Sequence, residues 1–217
     1  MDSKNPYVMT IYARYLMSVK GDFEKSREYL NKALLAAPVS YYINISSAEY
    51  YLFIEDYDAA LKEAERAKEL SPIDGWAPWI AFLAYVNKGE HDLAVNELVD
   101  NWSLSHNYNK NVAPMLQAYK ENGINGVFRW INDLDINHAD EERVQHNAYY
   151  IAQKFAFLGE HDKAMQWLNI GFKRKNGEMN RIKHDHFFTD MHDNPEFLSL
   201  LEKMNLGNYK QSPYFKD

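Results

Sequence analysis

The sequence predicts an all-α fold: a solenoid of about five helix pairs closed by a C-terminal helix. Three observations predict it. A block of turn and helix-start residues recurs at a constant spacing, small residues recur in register with it, and alternating strand-like patterning is weak throughout.

The recurrence is legible by eye. Gly21-Asp22-Phe23-Glu24-Lys25-Ser26 leads to Leu30, Ala33 and Pro38. Glu55-Asp56-Tyr57-Asp58-Ala59-Ala60 leads to Ala64, Ala67 and Pro72, and Gly89-Glu90-His91-Asp92-Leu93-Ala94 leads to Leu98 and Asn101. The small residues Ser26, Ala60 and Ala94 lie 34 and 34 positions apart. A degenerate copy, Gly123-Ile124-Asn125-Gly126-Val127-Phe128, follows 34 further on. A clear one, Gly159-Glu160-His161-Asp162-Lys163-Ala164, comes 36 after that, so a short insertion precedes it.

Each block has a physical reading. Gly or an acidic residue ends the first helix of a pair, here helix A. Asp or Glu then starts helix B, where free backbone N–H groups and the helix dipole favour a carboxylate. The small residue lets B cross A closely, and proline ends B. Neither helix buries its apolar face alone, so neighbouring pairs must stack. Helix A is expected at 7–20, 41–54, 76–88, 111–122 and 142–158, and helix B at 23–37, 57–70, 91–102, 124–134 and 161–174. The units are 7–38, 41–72, 75–106, 109–140 and 145–176, with a connector and cap at 177–217, all in one domain over 1–217. Asn194, Pro195 and Glu196 give the last helix its N-cap, N1 and first-turn residues.

Composition narrows the function. The chain carries 24 basic and 31 acidic residues, a net charge of −7, which repels a phosphate backbone and argues against nucleic acid as a partner of this segment. With no cysteine, thiol catalysis and cysteine metal sites drop out. The start, MDSKNPYVMTIY, is not a signal peptide, and no apolar run is long enough to span a membrane. A soluble segment is expected. Its compartment is not determined, with cytoplasm favoured over periplasm.

Residue patterns for catalysis are weak. Gly123-Ile-Asn-Gly126 is too short for a phosphate loop and lacks the Lys-Ser/Thr that would hold phosphate and magnesium. No order of Ser, His and acid suggests a triad. Glu63/Glu65 and Glu141/Glu142 suit solvated helix surfaces better than acid–base pairs. The stretch holding His184, Asp185, His186, Asp190, His192 and Asp193 offers metal-ligand types, and on a helix His186 and Asp190 would share a face. It lacks the His-Glu-x-x-His spacing, so a solvated connector is the preferred reading. Asn44-Ile45-Ser46 matches a glycosylation sequon and is read as chance. No catalytic residue, metal or cofactor is expected.

Gly-Asp-Phe-Glu-Lys-Ser…Ala33…Pro38 and its copies resemble the tetratricopeptide repeat over nearly the whole chain, although the helix-A consensus positions are poorly kept. The resemblance implies a right-handed superhelix. The C-terminal half is more specific. Ala118-Tyr119…Gly123 to Trp130, Ala156-Phe157-Leu158-Gly159-Glu160, Asp162 to Leu168, Phe187-Phe188 and Asp193-Asn194-Pro195-Glu196-Phe197 are similar in order to the repeat region of bacterial winged-helix regulators of the acid-sensing activator type. The same region is borne by some bacterial adenylate cyclases and kinases. This resemblance implies a sensory or protein-binding module, not an output activity.

In such arrays helix A lines a concave groove. Projecting its positions here points to Tyr15, Tyr42, Glu49, Phe53, Trp76 and Trp79 as partner-binding residues, among neighbours such as Val8, Ile11, Ile45, Leu83, His146 and Tyr149. The carboxylate clamp of chaperone-binding members is absent, because its positions hold Ile11, Tyr15, Ser46, Trp76 and Ile80, none of them cationic. The expected partner is a protein or peptide. A small-molecule sensor with an aromatic groove is the alternative, followed by a metal-dependent enzyme, and a homodimer through the same rings stays open.

Overall fold

The computed structural model describes residues 4–106, 108–137, 144 and 147–207. Among them regular structure is helical, with no strand. The chain divides into two compact units, Met1–Gln117 and Ala118–Asp217.

The first unit contains α1 (Pro6–Tyr15), α2 (Phe23–Ala36), α3 (Tyr41–Phe53), α4 (Tyr57–Leu70), α5 (Trp76–Asn87) and α6 (His91–Ser103). Helices α2, α4 and α6 begin 34 residues apart, and α1, α3 and α5 begin 35 apart. Each helix packs on the next, and α3 also packs on α1 and α5. A π-helical stretch, Leu16–Lys20, prolongs α1 to Gly21.

The turn chemistry matches the expected frame. Gly21, Glu55 and Gly89, 34 residues apart, all hold left-handed φ values of 63°, 60° and 75°. Glycine adopts this conformation freely, whereas Glu55 bears a steric cost there. Asp22 and Asp56 then cap α2 and α4, accepting from the backbone N–H of Lys25 and Ala59. Asn5 caps α1 in the same way, with Pro6 at N1. Ala60 and Ala94, expected at helix crossings, are fully buried. Ser26 is buried too, its hydroxyl donating to the carbonyl of Ala13 at 2.9 Å. A larger side chain at these points would push the helices apart.

Polar groups inside this unit are mostly short. Thr10, Ser18 and Ser46 return their hydroxyls to carbonyls four residues back, those of Pro6, Arg14 and Tyr42. Asn44, the sequon asparagine, is fully buried and donates to the carbonyls of Pro38 and Ser40. A residue so placed is not a modification acceptor in the folded chain.

The helices expected at 111–122 and 124–134 are two helices within Val112–Asn137 (together α7), separated at Asn122 and Gly123, where φ and ψ leave the helical region. Gly123 has φ 61° and ψ −152°. A side chain on Gly126 would sit 2.2 Å from the carbonyl oxygen of Ala118. Gly126 is therefore a close-approach glycine, which accounts for the Gly-Ile-Asn-Gly sequence without any phosphate.

The second unit continues with α8 (Ala148–Phe157), α9 (His161–Lys173) and α10 (Pro195–Lys203). Gly159 again turns left-handed before α9, and Ala164 is fully buried. Asn194 caps α10, accepting from the N–H of Glu196 and Phe197, with Pro195 at N1. Two 3₁₀ turns, Gly177–Arg181 and His186–Met191, join α9 to α10. Of the residues named above, Glu141, Glu142 and His146 lie outside the described residues.

Candidate functional site

Helices α1, α3 and α5 carry the residues that the repeat frame assigns to a partner-binding face. Trp76 is 45% exposed, Tyr15 41% and Tyr42 36%, and Trp79 is half-buried. Two members differ from expectation. Phe53 is 4% exposed and belongs to the core. Glu49 is nearly buried, and its carboxylate forms an ion pair with the Arg14 guanidinium. It does not stand out as a lone charge for a ligand; it ties α3 to α1. The frame places residues on a helix face, but the depth of that face depends on how neighbouring helices close over it.

The sequence reading missed Tyr7, which is 51% exposed and stacks on Tyr42 with ring centroids 6.2 Å apart. The signal lies in the 35-residue step between the starts of α1 and α3, one residue longer than the frame, which brings Tyr7 and not Val8 opposite Tyr42. Ile11 is exposed as well, and Tyr7, Ile11 and Tyr15 stand four residues apart on one stripe of α1.

The start of α5 is fixed by a carboxylate contact. Asp74 accepts from the Trp76 backbone N–H at 2.8 Å and from the Tyr41 hydroxyl. Burial, then the bond to Asp74, pushes the Tyr41 pKa well up, so it is a constant hydroxyl donor at neutral pH. Trp79 stacks on Phe82 at 5.0 Å. The face is thus an apolar and aromatic surface on packed helices, open at Tyr7, Ile11, Tyr15, Tyr42 and Trp76.

The His-rich stretch is not the solvated connector expected from sequence. Arg181, Ile182, His184, Asp185, Phe187, Phe188 and Met191 are buried. His186 and Asp190 lie in a 3₁₀ turn, not an α-helix, so the shared face expected of them does not form. Asp185 organises the stretch. It accepts from the Tyr149 hydroxyl, from Gln153 Nε2 at 2.7 Å and from the Phe187 N–H at 3.1 Å. Tyr149, projected from sequence toward a groove, is fully buried and packs beneath this carboxylate. Burial, then the Asp185 charge, holds its hydroxyl protonated far above the usual range.

His184 is pushed down to about 4, chiefly by burial, with Lys183 and His192 adding like-charge repulsion. Burial also lowers His192, against opposing pulls from Asp193, Asp185 and Asp190. Among the described residues, no group of three or more His, Asp or Glu side chains is arranged to hold a metal ion. Nor is any described helix long and apolar enough to cross a membrane. No protein-family model matches this chain, and no curated protein matches it.

Proposed function

We propose that this chain is a binding scaffold of the tetratricopeptide type, which takes a protein or peptide segment along the exposed face of α1, α3 and α5. The reading includes a right-handed superhelix of about five helix pairs. On the likeness of the C-terminal half, it also makes the chain the sensory or assembly module of a bacterial regulatory protein, with no reaction of its own.

The observation that carries the proposal is the exposed set Tyr7, Ile11, Tyr15, Tyr42 and Trp76 on helices packed side by side. Such rings bring large contact areas at low entropic cost, as binding hot spots do. The rings are open to solvent along three helices, which suits an extended segment better than an enclosed small molecule.

The test is selection of peptides from a displayed library on the intact chain, with counter-selection on a Tyr42→Ala/Trp76→Ala variant. Recovery of sequences that bind the first and not the second supports the scaffold reading. Recovery only of sequences that bind both equally overturns it.

A further inference from the structure

The first unit carries a second set of exposed apolar residues. It lies where the helix pairs are joined. Val39 and Ile73 each follow a proline, stand 34 residues apart and are 77% and 82% exposed. Leu104 and Leu70 are exposed as well. The links are explicit. Arg66, one turn before Leu70, donates to the Pro38 carbonyl beside Val39. Pro72, which precedes Ile73, lines one open cleft with Pro78 and Leu104. Hydrogen bonds hold the segment around Asp74. Asn101 donates to the Asp74 carbonyl at 3.2 Å, and the Asp74 N–H donates to the Ser71 carbonyl at 3.2 Å.

Charge says what would cover this surface. The cleft of about 280 Å³ has an apolar floor of Pro72, Pro78 and Leu104. Its rim holds four carboxylates against one ammonium. Lys68 already bridges two of them, Glu65 at 2.6 Å and Glu97 at 3.0 Å. Glu69 and Asp100 remain, both exposed and beside the apolar floor. A neutral or acidic segment would cover the leucines only by stripping water from those two carboxylates without return. A segment with cationic side chains flanking its apolar ones gains at both places.

We infer that this edge docks a basic amphipathic polypeptide segment. Its aliphatic side chains would cover Ile73, Leu104 and Val39, and an Arg or Lys would enter the cleft between Glu69 and Asp100. A guanidinium suits it best, since its plane can lie on the proline floor while its N–H groups reach the carboxylates.

The experiment uses the intact chain and a labelled, short helical peptide with leucines on one face and arginines flanking them. A matched peptide carries glutamates in place of the arginines. Anisotropy titrations are run at about 0.05 M and about 0.5 M salt, a range over which exposed charge pairs become screened. Binding of the arginine peptide is expected to weaken about tenfold in Glu69→Gln/Asp100→Asn and at high salt, and also to weaken in Ile73→Ser/Leu104→Ser. The glutamate peptide should not bind.

All four substitutions are at exposed positions, and circular dichroism checks that each variant keeps its helices. Equal binding of the two peptides overturns the inference. So does binding that survives Glu69→Gln/Asp100→Asn, or that disappears instead in Tyr42→Ala/Trp76→Ala. A concentration-dependent dimer that Ile73→Ser abolishes would show a second copy as the occupant, and would overturn it too.

Discussion

The two units solve the problem of burying a helical core differently. The first repeats one solution. Small residues sit at the crossings, left-handed turns recur at Gly21, Glu55 and Gly89, and most buried polar groups are hydroxyls or amides satisfied by nearby backbone. Glu49, tied to Arg14, is the exception. The second unit buries ionisable side chains. Asp185, Arg181, His184 and Lys154 all lie inside it; Lys154 pairs with Asp135 at 3.0 Å, and Arg181 pairs with Glu178 at 2.8 Å. A periodic interior distributes its stability over equivalent contacts. An interior closed by irregular turns concentrates it on a few polar groups whose partners cannot be replaced.

That difference can be broken most sharply at Asp185. Its replacement by alanine leaves the Tyr149 hydroxyl, the Gln153 amide and the Phe187 N–H without their acceptor. With each buried donor so orphaned worth about 1–3 kcal/mol, a total loss of about 3 kcal/mol or more is expected in urea unfolding. Asp185→Asn should lose less, because its carbonyl oxygen still accepts. Equal losses for the two would show that the carboxylate network is not what closes the unit.

The next effect is on pH. His184 has a folded pKa near 4, below the unfolded value of 6.5, so the unfolded chain takes up its proton first. Its contribution is fully present above pH 6.5 and is lost as pH falls toward 4. Over that window stability should decline by up to about 1.4 kcal/mol per pH unit from this group. His184→Gln should flatten that slope in pH-dependent unfolding, and a slope unchanged by the substitution would remove His184 as its source.

Two smaller effects sharpen the periodic side of the comparison. Ala94→Leu should overpack the crossing and cost about 1–3 kcal/mol in thermal or urea unfolding. A neutral result would mean that Ala94 is not at a tight crossing. Glu55→Gly should stabilise by about 1 kcal/mol or less, since glycine relieves the left-handed backbone but adds freedom to the unfolded chain. A loss there would show that contacts of the Glu55 side chain outweigh its backbone cost.

These contrasts explain how far the sequence could be read. The helices of the first unit were legible because turn glycines, capping aspartates and crossing alanines recur, and recurrence multiplies a weak local signal. The exposed rings Tyr15, Tyr42 and Trp76 followed from that frame. Tyr7 did not, because α1 and α3 start 35 residues apart while the turns that set the frame recur every 34. Phe53 and Glu49 were placed on a helix face without knowledge of the neighbours that cover them. The buried connector was illegible for a different reason. His, Asp and Arg in a short stretch look like surface, and only the three donors converging on Asp185 make it interior.

On the proposed function, the ring-bearing face of α1, α3 and α5 binds a polypeptide. The most direct test is calorimetric titration of a library-selected peptide into the wild-type chain and into Tyr42→Ala/Trp76→Ala, alongside urea unfolding of both. Tyr42 is 36% exposed and Trp76 45%, so their removal costs some stability, and affinities are compared where unfolding shows both chains fully folded. Binding weakened by about tenfold or more, equivalent to at least about 1.4 kcal/mol, is expected. Unchanged affinity, or a loss of affinity that only tracks a loss of folding, would contradict it.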